Sequence, residues 1–76
     1  MRTWMEQARK KRGLTMKMAG AELGISESYY SMIERGERQQ NLDIALAAKM
    51  SSVFNVSLEY IVEQENAGAG ARVQMT

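Results

Sequence analysis

The sequence predicts an all-α domain of five short helices. Three observations predict it. Apolar residues recur at intervals of three and four along most of the chain, the spacing that lines one face of a helix. Residues that cap helix N-termini, Thr3, Thr15, Ser26 and Ser57, open four of these runs. Residues that readily turn left-handed, Gly13, Gly24, Gly36 and Asn55, close them. With 76 residues the chain makes one small domain, of a size that buries only ~60% of the surface its unfolded chain exposes.

Taken in order, Thr3 and Glu6 have the form of a capping box, so the first helix is expected from about Trp4 to Arg12. Trp4, Met5 and Ala8 face inward. The basic run Arg9, Lys10, Lys11, Arg12 suits the negative end of the helix dipole. Leu14 enters the core and Thr15 caps the second helix. There Ala19 and Leu23, four apart, share a face, and Gly24 is the natural left-handed stop. Gly20 sits where a side chain would hold the next helix away. Ile25 packs under the turn, Ser26 caps the third helix, and Tyr30 and Ile33 point inward. Glu27, Ser28, Ser31 and Met32 are left facing outward. Two short helices joined by so tight a turn form a helix-turn-helix, whose second helix can enter a DNA major groove.

After a polar loop from Gly36 to Asn41, a fourth helix is expected to start near Asn41 or Asp43 and end near Phe54. Ile44, Ala47, Met50 and Phe54 give it one apolar stripe. Ser57 caps a fifth helix, Leu58 to Gln64, with Val56 as a hydrophobic staple and Leu58 and Ile61 inward. The remainder, ENAGAGARVQMT, has neither helical nor strand period. Residues 2–64 are thus expected to be the domain, and residues 65–76 a flexible, dispensable tail.

Composition narrows the function. There is no cysteine and no histidine, which removes disulfides, thiolate nucleophiles, and the commonest general base and metal ligand. No metal site, cofactor, small-molecule ligand or enzymatic activity is expected. No apolar run approaches the roughly 20 residues of a membrane span, and no signal-peptide core is visible, so the expected compartment is the cytoplasm. The net charge of +1 is unevenly placed. Residues 1–38 carry eight Lys and Arg against five Glu, whereas residues 39–76 carry two against four Asp and Glu. The basic half is the half that contains the helix-turn-helix.

Arg9, Gly13-Leu14-Thr15, the run LGIS from Leu23, the run SYYSMIERGER from Ser28 and Val56-Ser57-Leu58 together resemble the Xre/Cro helix-turn-helix family, which includes lambdoid phage repressors. The resemblance covers residues 2–63. It implies a lambda-repressor-like fold with helices 2 and 3 as the helix-turn-helix. It also places Glu27, Ser28, Tyr29, Ser31 and Met32 at base-reading positions. Physically, Glu27 can accept from cytosine, Ser28 can bond several bases, and Met32 can touch a thymine methyl. Thr15, Met16, Lys17, Ser26, Arg35 and Arg38 are the expected phosphate binders, which set affinity and position without reading sequence. Tyr29 can also reach a phosphate through its hydroxyl. The resemblance further implies contact between Arg9 and Glu34 as a buried ion pair. Met16 stands where many relatives carry a phosphate-holding Gln, and Gln40-Asn41 replaces a common Pro-Ser. The implied function is a sequence-specific DNA-binding regulator, a repressor acting as a homodimer on double-stranded DNA. Tyr60 and Val62 would face the partner subunit. The alternatives are an antitoxin or restriction–modification controller with the same reader, or a protein-interaction adaptor.

Overall fold

The computed structural model describes residues 1–68. Five helices follow one another: α1 (Thr3–Lys11), α2 (Met16–Leu23), α3 (Glu27–Glu34), α4 (Ile44–Phe54) and α5 (Leu58–Gly68). No strand occurs among the described residues. The core is formed by Trp4, Met5 and Ala8 from α1, Ala19 and Leu23 from α2, Tyr30 and Ile33 from α3, Leu46, Ala47, Met50 and Phe54 from α4, and Ile61 from α5, with Leu14 between the first two helices. Edge-to-face contacts of Trp4 with Phe54 and Tyr60, at centroid distances of 6.3 and 6.4 Å, join α1 to α4 and α5.

The α2–α3 turn follows directly from its residues. Thr15 Oγ1 accepts the N–H of Met18 at 3.1 Å, and Ser26 Oγ accepts that of Tyr29 at 3.1 Å. Gly24 ends α2 with φ 78°, a left-handed conformation that strains residues carrying a Cβ. Gly20 permits a close approach, but of the turn and not of the α3 axis. A Cβ on Gly20 would lie 3.1 Å from the carbonyl oxygen of Ile25 and 3.2 Å from that of Ser26.

One buried charge cluster ties the helices together. The Glu34 carboxylate is 0% exposed. It accepts from Arg9 Nε at 3.0 Å, from Arg9 Nη2 at 3.4 Å and from the Tyr30 hydroxyl at 2.8 Å. Arg9 Nη1 donates to the Leu14 carbonyl at 3.0 Å. The chain from α1 through Leu14 to the end of α3 is therefore closed by charge-assisted bonds. Burial and the adjacent Glu34 carboxylate both push the Tyr30 phenol well above its ordinary range, because each disfavours the phenolate.

Several expectations need correction. Thr3 does not cap α1: it is the first helical residue, and Arg2 occupies the cap position without a side-chain cap bond. Glu6 does not reach back either, because its carboxylate pairs with Lys10 at 3.1 Å. In α4 the inward stripe is Leu46, Ala47, Met50 and Phe54, and Ile44 is 81% exposed. Asp43 caps this helix, accepting from Leu46 N–H at 3.2 Å. That cap fixes Ile44 as the first helical residue, and the 46–50–54 spacing, rather than one starting at Ile44, meets the core. Leu58 is likewise exposed, whereas Tyr60 turns inward against Trp4.

The fifth helix also runs past Gln64, and Glu65 does not begin a loose tail. Its Oε2 accepts from Trp4 Nε1 at 2.7 Å and from Arg2 Nε at 2.9 Å. Residues 69–76, the rest of the expected tail, lie outside the described residues. Arg2 is only 8% exposed. Its Nη1 donates to the Ile33 carbonyl at 2.9 Å and the Arg38 carbonyl at 3.2 Å, and its Nη2 reaches the Gln39 carbonyl.

Two outcomes follow. Glu34→Ala leaves the Arg9 guanidinium buried without its counter-charge, which costs roughly 3–5 kcal/mol. Small domains sit at the low end of a stability scale that starts on the order of 5 kcal/mol. Circular dichroism should therefore show a largely unfolded Glu34→Ala chain; a native-like melt would remove the ion pair from its central role. The second outcome concerns Tyr30. A phenol whose folded pKa is raised contributes stability that is fully present below its unfolded value of about 10 and is lost as pH rises above it. The stability difference between the wild type and Tyr30→Phe should be constant near neutrality and shrink above about pH 10. Urea titrations of both chains across that range check this, and a difference that stays flat would contradict it.

Candidate nucleic-acid interface

The face of α3 turned away from the core begins with Glu27 and Ser28, both exposed, and continues with half-buried Ser31. Tyr30, Ile33 and Glu34 occupy the opposite side and are buried. The helix therefore needs one face to stay folded and leaves the other free. Met16, at the start of α2, approaches that free face. Met16, Glu27, Ser28, Ser31 and Arg35 together line one shallow, open depression. The structure thus brings three of the five expected base-reading residues together with two of the expected phosphate binders.

The other expected phosphate binders are Thr15, Lys17, Ser26 and Arg38. Thr15 and Ser26 are exposed, and each oxygen accepts a cap bond, so each hydroxyl proton remains able to donate. Lys17 projects from the first turn of α2 and is exposed. The N-terminus of α2 carries the positive end of a helix dipole beside Lys17. Arg35, just beyond α3, is exposed. Its Nε and Nη2 each lie 3.1 Å from the Glu37 carboxylate, and its Nη1 donates to Ser31 Oγ at 2.8 Å. The Arg35 hydrogen bonds hold the Glu37 carboxyl below the usual carboxylate range. Arg38 is exposed in the loop after α3, and its backbone N–H donates to the Met32 carbonyl at 3.3 Å.

Tyr29 and Met32 do not join the open depression. Both are half-buried, and Tyr29 reaches the α3–α4 loop with its side chain, whereas Met32 meets that loop through its backbone carbonyl, which accepts the N–H of Glu37 at 2.8 Å. The Tyr29 oxygen accepts from Gln39 Nε2 at 2.8 Å. Gln39 had no role on sequence grounds, yet it sits at the centre of this loop with a left-handed φ of 55°. Its Oε1 accepts the Asp43 N–H at 2.9 Å, which links α3 to the start of α4. Arg2 and Glu65 were also missed. Neither has a helical neighbour that marks it, and only the tertiary fold carries Arg2 to the carbonyls that follow α3.

No helix among the described residues is long and apolar enough to cross a membrane. Comparison with known proteins agrees with the architecture. The family model described as helix-turn-helix matches residues 5–61. The HTH-type transcriptional regulator ImmR of Bacillus subtilis (strain 168) is 34% identical over 61 residues, which are 80% of this chain and 46% of that protein. The chain thus spans about half the length of the curated relative it matches. No solved structure matches. The five-helix order, the capped turn between α2 and α3 and the family match over residues 5–61 lead to one conclusion: this chain belongs to the Xre/Cro-like helix-turn-helix family.

Proposed function

We propose that this protein is a sequence-specific DNA-binding transcriptional regulator, a non-enzymatic repressor that acts in the cytoplasm as a homodimer on a pseudo-palindromic operator. The observation that carries the reading is the division of α3. Its buried side is fully used by the core, while Glu27, Ser28 and Ser31 line an open depression with Met16 and the cation Arg35, and Lys17 in α2 and Arg38 in the loop after α3 are exposed. A polar reading face accompanied by exposed cations is what simultaneous base and phosphate contact requires. The name of the Bacillus subtilis relative, a transcriptional regulator, supports the same role.

In this reading Glu27, Ser28 and Ser31 face base edges, and Met32 touches the groove from the side. The α2 N-terminus with Thr15, Met16, Lys17 and Ser26 holds one stretch of backbone, and Arg35 and Arg38 hold another. Arg35 exchanges Glu37 for a phosphate on docking. An apolar groove between α4 and α5 supports dimerisation. It is lined by Leu42, Ile44, Ala47, Leu58, Ile61 and Val62. Ile44, Leu58 and Val62 are 81, 44 and 51% exposed, which is costly for three apolar side chains side by side. A two-fold contact there would set two α3 helices to read half-sites one helical turn, about 34 Å, apart. Tyr60 does not belong to this surface, because it packs on Trp4.

The central test selects bound duplexes from a random pool and then titrates variants at several salt concentrations. Arg38→Ala should weaken binding to every sequence alike and lower the salt slope by about one unit. Glu27→Ala and Ser28→Ala should instead change base preference within each half-site, by roughly 1–3 kcal/mol per position. The reverse pattern would refute the assignment of the reading face, and a chain that retards no DNA would favour the adaptor reading. Ile44→Glu and Val62→Glu should each yield monomers in sedimentation and lose affinity for the paired site more than for a half-site. Wild-type protein that sediments only as a monomer, free and on DNA, would end the dimer reading.

A further inference from the structure

The Tyr29–Gln39 contact has a direction, and the direction fixes what Tyr29 can offer. The two ends of a glutamine amide differ only in which atom donates. Here the ambiguity is resolved by the neighbour of the other end. The Asp43 backbone N–H can only donate, and it lies 2.9 Å from one amide atom of Gln39, which must therefore be the oxygen. The remaining atom is the NH2 group, which donates to the Tyr29 oxygen at 2.8 Å. With its oxygen already accepting, the Tyr29 hydroxyl directs its proton away from Gln39. Gln39 has little freedom to reverse this. Its backbone is held left-handed at φ 55°, and its carbonyl accepts from the Arg2 guanidinium. Arg2 in turn is clamped by Glu65 at 2.9 Å.

We infer that Gln39 is a positioning residue that presents the Tyr29 hydroxyl to DNA as a hydrogen-bond donor, aimed at an acceptor oxygen. The inference rests on the DNA-binding reading above. Gln39, which holds the Tyr29 oxygen, directly follows the exposed cation Arg38 in the chain, and a phosphate oxygen is the acceptor that a donor beside a cation favours. Base-edge oxygens present the same acceptor chemistry. A fixed donor also discriminates: it meets phosphate oxygens, guanine O6 or thymine O4, and it opposes the amino groups of cytosine and adenine.

A double-mutant cycle on the full chain tests this, with a duplex selected by the wild type from a random pool as probe. Gln39→Glu keeps the Asp43 contact but replaces the amide donor with an acceptor, which draws the Tyr29 proton inward. It also adds a negative charge near DNA, whose cost is read separately in the Tyr29→Phe background. Gln39→Glu should weaken binding roughly tenfold more in the wild type than in the Tyr29→Phe background, while thermal stability changes little. Gln39→Gly, which suits the left-handed backbone, should remain folded and lose part of the same affinity. Neutral methylphosphonates placed singly along the duplex then identify the acceptor. Disappearance of the Tyr29→Phe loss at one position marks a phosphate; dependence of that loss on base identity marks a base edge. Either result supports the donor role. Equal losses from Gln39→Glu in both backgrounds, or a Tyr29→Phe chain that binds as well as wild type, would overturn the inference and leave the DNA-binding reading standing. A wild-type chain that binds no duplex would overturn both.

Discussion

The carboxylate of Glu34 is the constraint on which the rest of this molecule depends. A charge removed from water needs partners with good geometry, or its burial costs more than the fold can offset. Arg9 and Tyr30 supply three bonds to it, and Arg9 spends a further donor on Leu14. Each of these groups comes from a different stretch of chain, so the cluster defines where α1 ends, where α2 can begin and how α3 is rotated. Rotation is the decisive quantity. With Tyr30, Ile33 and Glu34 fixed inward, helical geometry leaves Glu27, Ser28 and Ser31 outward without further specification.

A second cluster governs the far end of α3 by different means. The Arg2 guanidinium donates to the Ile33 carbonyl in the last turn of α3, which also accepts the Gly36 N–H, and to the Arg38 and Gln39 carbonyls of the loop beyond. It acts there as a cap delivered from a distant part of the chain. Glu65 neutralises the charge and simultaneously holds Trp4. The first and last described helices are thereby joined directly, and Arg2 ties both to the loop after α3. The same carboxylate lies at the edge of the apolar groove between α4 and α5, so the conformation of the α3–α4 loop and the state of that groove share one side chain.

How much of this was legible in the sequence depends on the range over which each signal acts. Local signals were read well. Thr15, Ser26 and Ser57 each accept the cap bond of their helix, and Gly24 and Asn55 turn left-handed at the ends of α2 and α4. Periodicity gave the buried faces of α1, α2 and α3. It failed at α4, where Ile44 and Leu46 both fit an apolar stripe and only packing against α2 and α5 decides between them. It failed again at Leu58, whose neighbours in sequence say nothing about which side the groove opens. Long-range polar contacts left no trace at all. Arg2 is one cation before a helix, Gln39 one amide in a polar loop, and Glu65 one acid beside Gly- and Ala-rich sequence. The outward site residues Glu27, Ser28 and Lys17 were legible because they follow from the inward set, whereas the half-buried setting of Tyr29 and Met32 required the loop to be in place.

The close approach at Gly20 has one more consequence. The turn oxygens of Ile25 and Ser26 lie only 3.1 and 3.2 Å from where a Cβ would stand, so backbone packs on backbone there because residue 20 is glycine. The side chains of Glu27 and Ser28 take no part in that contact. Frame and lettering are thus physically separate in this fold. Glu27, Ser28 and Ser31 can be exchanged for other polar residues, one at a time or together, while the scaffold that displays them keeps its shape. If that face reads DNA as proposed, a lineage built on such a frame acquires a new binding preference by a few surface changes, without passing through an unstable intermediate.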